Sequence, residues 1–145
     1  MIRLTDDIWI GDSADEQVAD VESSSILAIL NVAQDMHSTR GWRDGVESAH
    51  AGLIDGPGNT LSAYYAAVLM LHSLVERRRV LVCCHSGGRA LAVTAMYMNL
   101  TADRDWDELI SVLRERVDPE LPEVNPAHRG AFDEMNWGLL RGMIK

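Results

Sequence analysis

The stretch from Val80 to Arg89, with the sequence VLVCCHSGGR, constrains the fold more than any other part of the chain. An apolar, β-branched run ends in two cysteines and is followed by a polar loop with two glycines. The next residues, Ala90 to Met98, contain Thr94 as their one polar residue. This order predicts a buried strand, a tight loop and a buried helix. A strand that leads directly into a helix is the repeating unit of α/β domains with parallel sheets.

Strand and helix patterns alternate along the rest of the chain. Apolar or β-prone runs predict strands at 8–10, 25–32, 49–54 and 80–82. Capping residues and helical spacing predict helices at about 13–21, 60–78, 90–98, 105–117 and from 125 onward. We therefore predict an α/β fold in a single domain over residues 1–145, with a mainly parallel central sheet of about four to five strands flanked by helices.

Two further segments carry specific predictions. Residues 33–48 are polar and contain two glycines, so we expect an irregular surface segment there. After a helix start at Asn125-Pro126, four apolar residues recur at helical spacing, which predicts one last helix with a single packed face. These residues are Phe132, Met135, Leu139 and Met143.

Charge and cysteine content narrow the classes of function. The net charge of −9 should repel nucleic acid and anionic membranes, so we expect neither as a partner. The two cysteines are adjacent, which is a poor geometry for a disulfide and favours a reducing compartment. Residues 1–7 lack a secretory pattern, and the longest apolar run, Ala63 to Leu71, is too short to span a bilayer. We expect a cytoplasmic monomer.

The loop between the strand and the helix is suited to binding an oxyanion. Backbone N–H groups at a helix start point into such a loop, and the helix dipole favours negative charge there. The same field lowers the pKa of a cysteine thiol toward neutral pH. Arg89 offers a planar pair of donors for a phosphate. Cys83 and Arg89 are six positions apart, so the loop reads Cys-x5-Arg.

A Cys-x5-Arg loop between a strand and a helix resembles the phosphate loop of the protein tyrosine phosphatase superfamily. The rest of the chain is most similar to the small dual-specificity phosphatases; Ile8 to Asp12 resembles their first strand, and Asn31 resembles a structural asparagine at a strand end. The resemblance implies a phosphocysteine mechanism without metal or cofactor, in which Cys83 attacks phosphorus and Arg89 clamps the phosphate. The phosphate-binding loop would comprise Cys84, His85, Ser86, Gly87, Gly88 and Arg89.

Cys84 competes with Cys83 for the role of nucleophile. In a common form of the family's sequence motif, His precedes the nucleophilic Cys and Gly stands third after it. An alignment to this motif would select Cys84 and put Cys83 in place of the His. That alignment leaves the loop one residue short. Because a four-residue spacer is not expected to close the same ring of amides around a phosphate, spacing favours Cys83.

The turn Asp55-Gly56-Pro57 lies between a predicted strand and the long helix that follows. It resembles the turn that carries the general acid in this family. The resemblance implies that Asp55 is the general acid that protonates the leaving oxygen. Asp44 is the alternative residue for this role. An ordinary turn is the competing interpretation, because Asp-Gly and Pro-Gly are common turn pairs.

Three positions depart from the family pattern. Val82 stands where the family has His, Ala90 stands where Ser or Thr helps the thiolate leave, and Ser86 stands where Gly is usual. The first two departures bear on catalytic rate rather than on phosphate binding.

Together these features predict a cysteine-dependent protein phosphatase that hydrolyses phosphotyrosine, with phosphoserine and phosphothreonine as further substrates. Its partner would be a phosphorylated protein or a small phosphomonoester. Two alternatives stay open. One is a catalytically weak phosphate-binding pseudophosphatase, and the other is a thiol enzyme acting on another oxyanion, similar to sulfurtransferases or arsenate reductases, with Cys84 as a resolving thiol.

Overall fold

A five-stranded sheet forms the centre of the fold. The computed structural model describes residues 1–12, 14, 25–36, 45–116 and 121–144. The strands are β1 (Ile2–Arg3), β2 (Ile8–Gly11), β3 (Ala28–Ala33), β4 (Glu47–Leu53) and β5 (Val80–Cys83). Their order across the sheet is β1-β2-β5-β3-β4, with β1 antiparallel to β2 and the other pairs parallel. The predicted α/β fold with a mainly parallel sheet is confirmed.

Five helices flank this sheet in the described part of the chain. They are α1 (Leu61–Val75), α2 (Gly88–Ala102), α3 (Trp106–Arg116), α4 (Pro126–Glu134) and α5 (Trp137–Met143). Thr60 caps α1 by accepting a hydrogen bond from the N–H of Ala63, and Asn125 caps α4 in the same way through Ala127. Apart from Ala14, which is helical, the predicted helix at 13–21 lies outside the described residues, as does the predicted alternative acid Asp44. In the ranges given above, no helix combines the length and apolar character needed to cross a bilayer.

The middle of the sheet is buried on both faces. Every residue of β3 and β5 is buried, which explains their unbroken apolar runs. Cys83 lies in register with Gly11 on one side and Asn31 on the other, so β2, β5 and β3 end at the same edge. Ligands of parallel sheets bind at this carboxyl edge.

Two sequence predictions need correction. The predicted irregular segment at 33–48 ends earlier than expected, because β4 already begins at Glu47 and pairs with β3. The predicted single last helix is divided in two, because Asn136 caps a new helix by accepting a hydrogen bond from the N–H of Leu139. This break changes the helical phase, so Leu140 is buried while Leu139 and Met143 are exposed.

Candidate active site

The loop after β5 makes a tight turn into α2. Cys83 is the last residue of the strand, and α2 begins at Gly88. Gly87 precedes the helix with a φ of 92°, in the left-handed region that glycine adopts without strain. His85 and Ser86 are exposed, whereas Cys84 and Gly87 are buried. The loop therefore presents its middle to solvent and its two ends to the protein.

The sulfur of Cys84 lies inside this loop. The backbone N–H of Gly87 donates a hydrogen bond to Cys84 Sγ over 3.1 Å. The N–H of Cys84 itself donates to the carbonyl of Gly11 and so extends the β2–β5 ladder by one residue. These two contacts fix Cys84 at the base of the loop, with its sulfur facing the Gly87 amide.

Cys83 occupies a different position. It is fully buried, and its backbone lies in the ladder between β2 and β3. The prediction that Cys83 is the nucleophile came from its spacing to Arg89 and stays a prediction. The Gly87 amide donates to the sulfur of its neighbour, Cys84.

Two glycines allow another segment to pack against the loop. A Cβ on Gly87 would lie 3.1 Å from Pro122 Cγ, and a Cβ on Gly88 would lie 2.6 Å from the carbonyl oxygen of Glu123. The second distance is shorter than any tolerated contact, so only glycine fits at position 88. The segment before α4 thus forms the outer wall of the loop.

Arg89 is anchored beside the loop. Its side chain is 5% exposed, and Nη1 donates to Asp35 Oδ1 over 2.9 Å and to the carbonyl of Leu53 over 2.7 Å. The hydrogen bond from Arg89 holds the pKa of Asp35 below its usual value. His85 Nε2 lies 3.4 Å from the other oxygen of the same carboxylate. A fixed guanidinium is thereby placed between the ends of β3 and β4.

Asp35 was not predicted from the sequence. It follows β3 at the carboxyl edge of the sheet, which is the position where parallel sheets place ligand-binding residues. Asn31 fixes the turn that carries it, because its side chain accepts from the N–H of Ala33 and donates to the carbonyl of Met36. This contact agrees with the structural role inferred for Asn31.

Asp55 is held by the start of α4. Its carboxylate is about half exposed, and Oδ1 lies 3.2 Å from Nε2 of the fully buried His128. The side chain of Asn125 also donates to the backbone carbonyl of Asp55. Leu53, whose carbonyl binds Arg89, precedes Asp55 by two residues, so the carboxylate and the guanidinium belong to the same region.

His128 was also missed by the sequence analysis. Burial lowers its pKa, the hydrogen bond with Asp55 opposes that shift, and the charge of Arg89 lowers the pKa further. Its Nδ1 lies 2.7 Å from the hydroxyl of Tyr64. A histidine in the first turn of a helix gives no sequence signal for such a contact.

The assembled groups can perform chemistry on an oxyanion. A loop amide and a thiol lie after β5, a buried guanidinium is held at the ends of β3 and β4, and the Asp55 carboxyl group follows β4 by two residues. A cavity of about 370 Å³ borders the loop at Ser86 and Gly87, on the side of β2 and Pro122, and it is not lined by Cys84, Arg89 or Asp55. The loop is therefore open to solvent on that side.

Solved structures with the same architecture are phosphatases. DUSP15 superimposes with a TM-score of 0.81 over 99% of this chain and 94% of its own, at 14% identity. Tk-PTP in its active form gives a TM-score of 0.73 over 97% and 95% of the two chains, at 16% identity. OH1 from the Orf virus, described as a tyrosine phosphatase with triple substrate specificity, gives 0.71 over 93% and 85%, at 23% identity.

No family model and no curated protein matches the sequence. The likeness therefore lies in the three-dimensional structure, which extends over nearly the whole of this chain. The chain has the fold of the dual-specificity phosphatases of the protein tyrosine phosphatase superfamily.

Proposed function

We propose that this protein is a cysteine-dependent phosphatase that hydrolyses phosphomonoesters through a phosphocysteine intermediate. The observation that carries the proposal is the loop from Cys83 to Arg89, where a backbone N–H donates to a cysteine sulfur beside a buried, anchored arginine. In a fold shared with phosphatases, this loop combines a nucleophile with an oxyanion site.

We propose Cys84 as the nucleophile, although the spacing to Arg89 favours Cys83. A backbone N–H that donates to a cysteine sulfur favours the negatively charged form that acts as a nucleophile. Cys84 receives such a contact from Gly87. With Cys84 in this role the spacer to Arg89 has four residues, and the left-handed Gly87 supplies the sharp turn that the shorter loop needs.

The reaction then proceeds in two steps. The thiolate attacks phosphorus in line, the bond from phosphorus to the leaving oxygen breaks, and Asp55 transfers a proton to that oxygen. In the second step a water attacks the phosphocysteine, gives its proton to the Asp55 carboxylate, and releases phosphate and thiolate. Arg89 stabilises the equatorial oxygens with nitrogens other than Nη1, which is bound to Asp35 and Leu53.

Phosphotyrosine is the proposed substrate group, with phosphoserine and phosphothreonine as further substrates. OH1 shares the fold and is described as a tyrosine phosphatase with triple substrate specificity. The partner is a phosphorylated protein or a small phosphomonoester. The chain carries a net charge of −9, so attraction for the phosphate comes locally from Arg89 and the loop amides.

Turnover of an aryl phosphate by single cysteine variants tests this proposal. We expect Cys84→Ser to lose at least about 10³-fold in kcat, because removal of a nucleophile leaves only binding and electrostatic effects. Cys83→Ser is the matched control and should retain most of the activity. The opposite result, with only Cys83→Ser inactive, would assign the nucleophile to Cys83 and contradict the choice of Cys84.

A phosphate-binding protein without turnover is the second candidate. The observation that favours it is Ala90, the residue after Arg89 in the first turn of α2. Its side chain offers no hydroxyl to a departing thiolate. Tight binding of a phosphopeptide without phosphate release would select this function. Activity on thiosulfate or arsenate, but not on an aryl phosphate, would select a thiol enzyme instead.

A further inference from the structure

A chain of hydrogen bonds runs from the Asp55 carboxylate into the protein. Asp55 Oδ1 lies 3.2 Å from His128 Nε2, and His128 Nδ1 lies 2.7 Å from the Tyr64 hydroxyl. The Asn59 side chain donates to the same hydroxyl over 3.2 Å. His128 is completely buried, so this histidine joins an exposed carboxylate to an interior network.

The backbone of Ile54 fixes the orientation of the Asn59 amide. Its N–H donates to Asn59 Oδ1, and its carbonyl accepts from Asn59 Nδ2, both over 2.8 Å. This pair fixes the orientation of the amide, so Nδ2 is the group that faces Tyr64. The Tyr64 oxygen therefore accepts from Asn59 and has its own proton available for His128 Nδ1.

The proton of neutral His128 must then be on Nε2. Burial lowers the pKa of His128 and raises that of Tyr64, so both side chains are neutral near physiological pH. Because the Asp55 carboxylate accepts hydrogen bonds and does not donate them, Nε2 carries the hydrogen and donates it to Oδ1, and Nδ1 accepts from Tyr64. The charged and titratable groups that face His128 from other elements are Asp55, Tyr64 and, at longer range, Arg89.

We propose that His128 is a positioning residue that fixes Oδ1 of Asp55 and leaves Oδ2 as the oxygen that carries the transferred proton. This inference rests on the proposed function, because it assigns a role in the same reaction. The hydrogen bond from His128 can form with either protonation state of Asp55, since Oδ1 accepts it whether Oδ2 is protonated or not. His128 itself neither gains nor loses a proton in the reaction.

Substitution of His128 by Gln or Asn distinguishes the roles of its two ring nitrogens. The amide nitrogen of Gln reaches the position of Nε2, whereas the Asn amide reaches only the position of Nδ1. We expect His128→Asn to lower kcat for phenyl phosphate by about tenfold with little change in KM, because a misplaced acid protonates a poor leaving group less well. His128→Gln should restore most of that loss.

The leaving group and Asp55 itself supply the decisive controls. The loss in His128→Asn should shrink to about twofold with an activated aryl phosphate, whose leaving group needs little protonation. In an Asp55→Asn background the substitution should have no further effect on kcat. His72→Asn, in a histidine of α1 outside the site, should leave all these values unchanged. Equal losses on both substrates, or additive losses with Asp55→Asn, would overturn the proposal.

Nitrogen-15 NMR of the wild-type chain tests the contact without any turnover. We expect a neutral His128 with its proton on Nε2, and Asp55→Asn should lower the pKa of His128 because the carboxylate that raises it is lost. A proton on Nδ1, or an unchanged His128 pKa in Asp55→Asn, would overturn the contact. A wild-type chain that shows the expected NMR result but hydrolyses no phosphomonoester would instead overturn the proposed function and its catalytic role for His128.

Discussion

At the scale of single residues, the arginine beside the loop is balanced by a carboxylate. Asp35 is largely exposed and binds Arg89 Nη1, and the same arginine lowers its pKa. Because the Asp35 carboxylate is exposed to solvent, we expect its pairing with the buried guanidinium to stabilise the fold little. Its main effect is on ligand binding, because a negative charge beside Arg89 opposes the binding of an anion.

Removal of that charge should strengthen phosphate binding. In Asp35→Asn the amide oxygen can still accept from Arg89, so the guanidinium keeps its place while the repulsion is lost. We expect the inhibition constant of inorganic phosphate or vanadate to fall by about two- to fivefold, measured against an aryl phosphate.

Asp107→Asn provides a control with the same change in net charge, since Asp107 pairs with Arg129 on the exposed surface of α3. It should leave the inhibition constant unchanged. Weaker binding of phosphate in Asp35→Asn would show that the carboxylate orients Arg89 rather than competing with its ligand.

At the scale of elements, the loop depends on the close approach of the segment before α4. The carbonyl of Glu123 occupies the space that a side chain on Gly88 would need. We expect Gly88→Ala to destabilise the fold by about 1 to 3 kcal/mol, because backbone must shift and the gain in helix propensity is smaller than that cost.

Gly130→Ala in α4 is the matched control, because a Cβ there meets no atom within 4 Å. It should stabilise the protein by about 0.5 to 1 kcal/mol through helix propensity alone. Urea denaturation of the two variants measures both values. Equal stabilisation by the two substitutions would show that Glu123 does not constrain the loop.

The same elements show which structural features could be predicted from the sequence. The buried strands at β3 and β5 and the caps at Thr60 and Asn125 were predictable, because each depends on local composition or capping chemistry. The contact of His128 with Asp55 was not, because it joins residues 73 positions apart and depends on how α4 packs. Likewise, spacing alone could not reveal that the Gly87 amide contacts Cys84.

At the scale of the whole molecule, the lowered pKa values of His128 and Asp35 link stability to pH on the acid side of neutrality. For His128 the folded state has a pKa below the ordinary value of 6.5. The unfolded chain therefore takes up this proton first, and stability falls as pH drops below about 6.5. The lowered pKa of Asp35 acts in the same direction at lower pH, below its ordinary value of 3.8.

Replacement of His128 should remove the loss of stability in the higher of these two pH ranges. His128→Gln has no titrating imidazole, so its free energy of unfolding should vary less between about pH 7.5 and about pH 5 than that of the wild type. Urea denaturation at both pH values measures the difference. If His128→Gln lost as much stability on acidification as the wild type, the buried imidazole would not be the group that couples folding to protons in this range, and a neutral His128 next to Asp55 could not be maintained as the resting state of the site.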